Sequence, residues 1–330
     1  MTSFVLGVES TAHTFSVSVV TSDGKVLSNA KSVYKPPGGQ GIHPFEASQA
    51  HIVAAPRVLS EALEVAGVPL QSLDAVAYSM GPGLGPCLRV GAVAARTLAS
   101  SLKIPLVPVN HAVGHIELGC LLSGSKDPVV LLVSGGHTMI LFFSGRRWRI
   151  IGESLDLTLG QLLDQFGRHR GFASPCGRAI EEAAILSKNY LRLPYSVKGN
   201  DVSFSGLLTA SKDLLDGGCS FSDVSYSLQE TAFAMVTEVT ERALAFTGKK
   251  EVMVVGGVAA NKRLSGMLST MADRHSARVM APPLEFSGDC GAQIAWTGSL
   301  NYSAGITVPL EEAKVTQSWR LDQVEIPWRG

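Results

Sequence analysis

The chain has 330 residues, of which 45% are hydrophobic and 17% charged, and a formal net charge of zero. That length allows two lobes with a core each, and the apolar share excludes intrinsic disorder. Neutrality excludes nucleic-acid binding through a global basic field, so an RNA partner must be met by a local patch or a basic companion protein.

Phe4 to Val8 predicts a buried strand, followed by the polar turn Glu9 to Thr14 and an alternating strand over Phe15 to Val20. Asp23-Gly24 turns the chain into a third strand near Val26 to Val33. The run Pro36 to Gly41 reads as a loop, and a helix follows over Glu46 to Ala66. Leu73 to Tyr78 is a strand, and Gly81 to Pro86 a stiff turn opening a helix over Cys87 to Leu102. After the strand Ile104 to Val109, Asn110 caps a helix over His111 to Leu122. Ser123 to Pro128 is the best lobe boundary, and the opening pattern then recurs. Val129 to Val133 is a strand, Ser134 to His137 a turn, Thr138 to Phe143 a return strand and Trp148 to Ile151 another. Near the end, Glu251 to Val255 runs into Gly256 to Asn261, which opens a helix to His275. Two lobes that each begin with a meander fit the actin, sugar-kinase and Hsp70 architecture, although organisation alone fits a Rossmann-like fold equally.

Five cysteines (Cys87, Cys120, Cys176, Cys219, Cys290) are odd in number and lack a C-x-x-C pair, which argues against a disulfide framework or cysteine zinc site. No apolar run reaches the ~18 residues of a membrane span. Met1 to Gly7 has no basic leader, so the expectation is a cytoplasmic protein without a membrane.

Four constellations carry chemistry. His111 and His115 stand one helical turn apart, so both imidazoles can reach one ion. The same spacing also suits two structural histidines, and Ala112 replaces the base of a metalloprotease motif. Asp289 lies between glycines at a helix start, where it reads as an N-cap or as a third ligand. Two histidines and one carboxylate with open positions suit Fe(II) and admit Zn(II). The turns Gly81 to Gly85, Ser134 to Gly136 and Gly256-Gly257 with Asn261 expose backbone amides that suit phosphate, although no P-loop occurs. Asp164 and Glu181 are candidates for ribose hydroxyls or for solvated helix faces.

Taken in order, these segments resemble the TsaD/Gcp family, and most closely the archaeal and eukaryotic branch that supplies the catalytic subunit of the KEOPS complex. The likeness covers nearly the whole chain. It runs through Gly7 to Thr14, Gly81 to Val90, Asn110 to Glu117, Val133 to Thr138, Val197 to Gly206, Val255 to Asn261 and Gly288 to Ala292. The resemblance implies an α/β fold of the ASKHA class, with two lobes around a nucleotide cleft. Residues 1–126 would form the lobe with the histidine helix. Residues 127–330 would form the lobe with the adenylate turns and the aspartate ligand, the last helix packing back on the first lobe. It implies transfer of a threonylcarbamoyl group from threonylcarbamoyl-adenylate to the exocyclic amine of the adenosine 3′ to the anticodon in tRNAs reading ANN codons.

Residue by residue, His111, His115 and Asp289 match the family's metal ligands. Leu132, Val133, Ser134, Gly135, Gly136, Asp164, Gly177, Glu181 and Asn261 match its adenylate positions, and Glu9 is the candidate for orienting the attacking amine. One divalent metal is implied, Fe(II) before Zn(II), with an adenine nucleotide as substrate or occupant (ATP, ADP or AMP). The implied partners are tRNA, a small atypical kinase and a dimerising subunit. Arg146, Arg147 and Arg149, and Arg168, His169 and Arg170, are two short basic clusters available for RNA, and equally solvated faces.

The chain departs from the branch in four places. Leu132 replaces a tyrosine sometimes counted as a metal ligand, which leaves a fourth position to water or substrate. Cys176-Gly177-Arg178 replaces Gly-Gly-Pro, Cys290 an asparagine and Phe45 an arginine. The rival readings are an ASKHA phosphotransferase or carbamoyltransferase for a small molecule, or a non-catalytic nucleotide-binding scaffold. A phosphotransferase has no use for the histidine pair, and a decayed scaffold would not keep all three ligand types.

Overall fold

The computed structural model describes residues 2–37 and 40–329, so the Gly38-Gly39 part of the expected loop lies outside the described residues. The first sheet is built from β1 (Phe4–Glu9), β2 (Thr14–Thr21), β3 (Ala30–Val33), β4 (Ala75–Gly81) and β5 (Leu106–Asn110), in the order β3-β2-β1-β4-β5. β1, β2 and β3 run antiparallel, whereas β4 and β5 join parallel. The second sheet repeats this plan with β6 (Val129–Val133), β7 (Thr138–Ser144) and β8 (Arg147–Glu153) as the meander. A minor hairpin, β9 (Val197–Lys198) with β10 (Asp201–Val202), intervenes. β11 (Glu251–Val255) and β12 (Arg278–Met280) then add parallel to β6. The order β12-β11-β6-β7-β8 is the first sheet's order over again. A meander plus parallel crossovers, twice in one chain, is the ASKHA fold.

Strand alternation decides what covers each face. In β1, Leu6 and Val8 point to a core with α1 (Pro44–Ala66) and α2 (Gly85–Leu102). Val5 points the other way, towards Ile294 of α9 (Gly291–Ser303). In β6, Val129, Leu131 and Val133 enter the large core beneath α4 (Leu159–His169), α5 (Gly177–Ile185), α6 (Ser205–Asp216), α7 (Phe221–Thr247) and α8 (Lys262–Arg274). Val130 and Leu132 face the opposite side, where Ala112, Val113 and Ile116 of α3 (His111–Ser123) meet them. The layers therefore run α1 and α2, first sheet, α3 and α9, second sheet, α4 to α8. α3 and α9 form the inner layer and pack on one another. A helix in that position has no solvent face, and residues His111 to Cys120 are all buried.

Two close approaches set this layer. A Cβ on Gly7 would lie 2.2 Å from the Ala295 nitrogen, and one on Gly291 would lie 2.6 Å from the Ser18 nitrogen. Only glycine lets α9 lie so near β1 and β2.

Several elements differ in extent from the sequence expectation. β3 is only Ala30–Val33, and Val26, past the Asp23-Gly24 turn, makes no more than an isolated bridge to Val20. A 3-10 turn, Gly257–Ala260, precedes α8. Asn261 is its true cap, its side chain accepting from the Arg263 and Leu264 amides. No helix among the described residues is long and apolar enough to cross a membrane.

Candidate metal centre and adenylate cleft

β5 delivers the chain to α3 at Asn110, whose side chain accepts from the Ala112 and Val113 amides at 3.0 and 3.2 Å. This cap starts the helix at His111 and puts His115 directly above it. The turn before α9 brings Asp289 to the same point. Its Oδ1 lies 3.6 Å from His111 Nε2 and 3.3 Å from His115 Nε2. The N-cap alternative for Asp289 is overturned: Cys290 occupies the cap position, and no side chain caps this helix. The carboxylate spans two elements rather than closing its own turn.

All three ligand atoms lie within 4.8 Å of one another. Metal–nitrogen bonds of ~2.1 Å set ligand atoms some ~3–3.5 Å apart, so the set needs little adjustment to hold an ion. His115 Nε2 is buried and has no hydrogen-bond partner among the described residues, which a cation would remedy. Two nitrogens and one oxygen suit Fe(II) and admit Zn(II).

His111 is held from behind. Its Nδ1 lies 2.9 Å from Glu9 Oε2, 3.0 Å from Gln293 Nε2 and 3.3 Å from Thr11 Oγ1. A proton on Nδ1, donated to Glu9, leaves Nε2 bare for metal. Burial alone would depress the His111 pKa, but the Glu9 charge and hydrogen bond, with Asp289, raise it to about 9. Burial pushes the Asp289 carboxyl up, yet His115 and the charge of His111 hold it well below the usual range. Burial lowers His115 despite Asp289. Two carboxylates around two imidazoles make a site that attracts positive charge.

This geometry corrects the role expected of Glu9. Its side chain is fully buried, with Oε1 accepting from the Thr11 amide and hydroxyl at 2.6 and 2.5 Å and Oε2 facing His111. Neither oxygen remains for an incoming amine. Gln293, one turn into α9, escaped sequence analysis because nothing local marks a glutamine as a partner of His111. Cys290 is buried, and burial lifts its thiol to about 12, so it is an inert neighbour.

The second lobe supplies the turns. Ser134 Oγ accepts from the Gly136 and His137 amides at 3.2 and 3.0 Å, while Gly135 and Gly136 are exposed with nothing within 4 Å of where a Cβ would stand. Gly256 has φ 96°, and a Cβ there would lie 2.3 Å from the Val133 oxygen, so the two turns meet only through glycine. Leu132 and Val133 do not reach this surface. Both are fully buried in β6, their side chains in opposite cores, so a ligand can meet this stretch only from Ser134 onward.

The remaining positions form a connected ledge. Asp164 Oδ1 accepts from the Cys176 amide at 2.7 Å, next to Gly177 at the start of α5, and burial raises the Asp164 pKa. Glu181, one turn further, accepts from the Lys262 amide at 2.8 Å. Asn261 Nδ2 donates to Gln229 at 2.6 Å, which leaves the Asn261 side chain occupied at both ends.

Two histidines beside this centre escaped sequence analysis. The His137 ring lies 6.5 Å from that of His111 and nearly parallel to it, and burial with two neighbouring imidazoles lowers its pKa to about 3. His13 stands immediately before β2. The basic clusters are partly engaged: Arg147 pairs with Glu325, Arg168 donates to Ser174, and His169 meets Asp216.

The chain's last described residues reach the same helix. Glu117 of α3 is buried and receives Arg329, whose Nη2 stands 2.9 Å away, together with the indole nitrogens of Trp148 at 3.1 Å and Trp328 at 3.3 Å. The Arg329 guanidinium lies 5.0 Å from the Trp148 ring centroid.

Comparison with known proteins completes the assignment. A family model described as TsaD, tRNA N6-adenosine threonylcarbamoyltransferase, matches residues 24–296. A protein of that name from Caldivirga maquilingensis is 48% identical over 324 residues, 98% of each chain. A probable bifunctional tRNA threonylcarbamoyladenosine biosynthesis protein from Methanothermobacter thermautotrophicus is 49% identical across 98% of this chain, which spans only 60% of that longer protein. Among solved structures, T. kodakarensis HypF superposes with a TM-score of 0.64 at 15% identity, over 92% of this chain and 48% of HypF, and so speaks for the fold alone. A full-length match at nearly half identity, on a chain whose histidine helix and glycine turns converge as above, leaves one conclusion: this protein belongs to the TsaD family of tRNA N6-adenosine threonylcarbamoyltransferases.

Proposed function

We infer that the chain transfers a threonylcarbamoyl group from threonylcarbamoyl-adenylate to the exocyclic amine of the adenosine 3′ to the anticodon in tRNAs reading ANN codons. The observation that carries this reading is the convergence of His111, His115 and Asp289 beside the Ser134 to Gly136 turn, with His115 Nε2 buried and unpartnered among the described residues. His111, His115 and Asp289 would hold a divalent metal, Fe(II) by preference and Zn(II) as the alternative, which would supply Lewis-acid polarisation of an acyl oxygen.

The chain's own residues do the rest. Glu9 fixes the tautomer of His111, and Gln293 stands against the same edge of the ring. The open Gly135 and Gly136 turn receives the phosphate, and Asp164 and Glu181 flank the ribose. The Asn261 turn borders the adenine. The amine nitrogen forms the new bond to the carbamoyl carbon, the bond from that carbon to the phosphate oxygen breaks, and AMP leaves with the electron pair. The amine's proton passes to the departing phosphate or to water. Residues 1–126 and 127–330 are taken as the two lobes, with α9 returned to the first. The reading places the work in the cytoplasm, with a small atypical kinase and a dimerising subunit as partners of the KEOPS type. The bifunctional name of the Methanothermobacter relative is consistent with a second activity working alongside.

The test is transfer from synthetic threonylcarbamoyl-adenylate to tRNA, with and without partners, alongside elemental analysis. His111→Ala should lose bound metal and transfer, about a hundredfold or more in rate, while keeping its circular dichroism. Transfer at the wild-type rate by that variant would sink the reading. ATP consumption with a small acceptor and no tRNA would favour a phosphotransferase instead.

A further inference from the structure

Each lobe passes from its first strand to its second through one motif. Ser10-Thr11-Ala12-His13-Thr14 leaves β1 and enters β2, while Ser134-Gly135-Gly136-His137-Thr138 leaves β6 and enters β7. β1 and β6 hold the same central place in sheets of the same order, so S-x-x-H-T stands at the same corner of both lobes.

The two histidines share more than position. Nδ1 of His13 and Nδ1 of His137 are each buried, and each lacks a hydrogen-bond partner among the described residues. A buried nitrogen without a partner opposes folding, and such atoms in a native structure call for a reason. Both flank the chemistry. His137 lies beside His111, with ring centroids 6.5 Å apart. His13 follows Thr11 by two residues in the turn whose Thr11 hydroxyl lies 3.3 Å from His111 Nδ1.

We propose that His13 and His137 are a matched pair of substrate contacts, one from each lobe, whose Nδ1–H groups donate to the oxygens of the donor's acyl half. This rests on the transferase reading above. In that reading the phosphate occupies the Gly135 and Gly136 turn, and His137 follows those glycines on the side of His111. The group presented to His137 is then the carbamoyl and carboxylate end, not the adenosine. The acyl half is gripped from two lobes at once, so its seat is complete only when the lobes are together.

The experiment is calorimetric binding to the metal-loaded full chain with its partners, using a non-hydrolysable threonylcarbamoyl-adenylate analogue and, separately, AMP. In His13→Ala and in His137→Ala, affinity for the analogue should fall about tenfold, as for loss of one hydrogen bond to a charged group. AMP affinity and metal per chain should stay at wild-type values. Asn keeps an N–H near the place of Nδ1, whereas Gln carries its amide nearer Nε2. Asn variants should therefore regain most of the affinity and Gln variants should not, a contrast readable even where an alanine variant fails to fold. Equal loss for AMP, loss of metal in His137→Ala, or analogue binding unchanged in the variants would each overturn the pairing. A wild-type protein that binds AMP yet neither binds the analogue nor modifies tRNA overturns the functional reading, and this inference with it. Normal transfer by wild type and variants alike overturns the inference alone.

Discussion

His111 has three polar neighbours at Nδ1 and, in the proposed function, a cation at Nε2, and Glu9 sets the balance between them. Replacing the carboxylate by an amide keeps the shape and removes the charge that holds a proton on Nδ1. Glu9→Gln should therefore weaken metal affinity about 10–100-fold, the usual scale for loss of a partner behind a metal-bound histidine. Competition with a coloured chelator measures it, and unchanged affinity would deny Glu9 this role. At this scale the sequence was legible where chemistry is local. His111 and His115 share a turn, and Gly135 and Gly136 sit in one. Gln293, His13 and His137 were not legible, because their meaning depends on which atoms stand opposite after folding. Asp289 was half legible: its place before a helix suited either capping or ligation, and only the turn's orientation shows the carboxylate leaving its own helix.

Among the elements, α3 has the strangest pattern and the clearest explanation. It shows no apolar stripe because sheets lie on both sides, and its glycines face different partners. A Cβ on Gly114 would meet the Gln293 backbone oxygen at 3.2 Å, and one on Gly119 the Val255 side chain at 2.8 Å. Sequence periodicity marks a helix here but cannot say what covers it. The tail over Leu321 to Arg329 has no periodic pattern at all, so its packing was invisible before folding. Yet Leu321 and Ile326 are buried against the same core as Val113 and Ile116, and Arg329 neutralises Glu117. Arg329→Ala would leave a buried carboxylate with only two indole donors, so the loss should be about 3 kcal/mol, at the low end for breaking a buried pair. Urea unfolding followed by tryptophan fluorescence reports it. A change below about 0.5 kcal/mol would mean that this pair behaves as a surface salt bridge.

The whole molecule is held together where the lobes cross. Glu251 opens β11 and accepts from Ser125 Oγ at 2.7 Å and the Lys126 amide at 3.1 Å, both in the connection from α3 to β6, and pairs with Arg278. Burial would raise its pKa, but these hydrogen bonds outweigh burial and lower it to about 2. A depressed carboxylate stabilises the fold fully above its unfolded pKa, near 4.5, and loses that contribution as pH falls towards about 2. Glu251→Gln should thus flatten the acid limb of the thermal-stability profile between those values while changing little in slope near neutrality. An unaltered acid limb would remove Glu251 from the account. The repeated meander made the two-lobe plan readable from the sequence. The crossing of α9 back to the first lobe was implied by the family likeness rather than by any local signal.

That crossing has a consequence for turnover. α3 and the turn into α9, which carry His111, His115 and Asp289, lie between the two sheets, whereas Ser134 to His137 connect two strands of the second sheet. In the proposed reaction, a shift of that connection alone would release AMP while leaving the three side chains where they stand. On that reading one ion would serve through many cycles, and the traffic of spent nucleotide would be uncoupled from the inventory of metal.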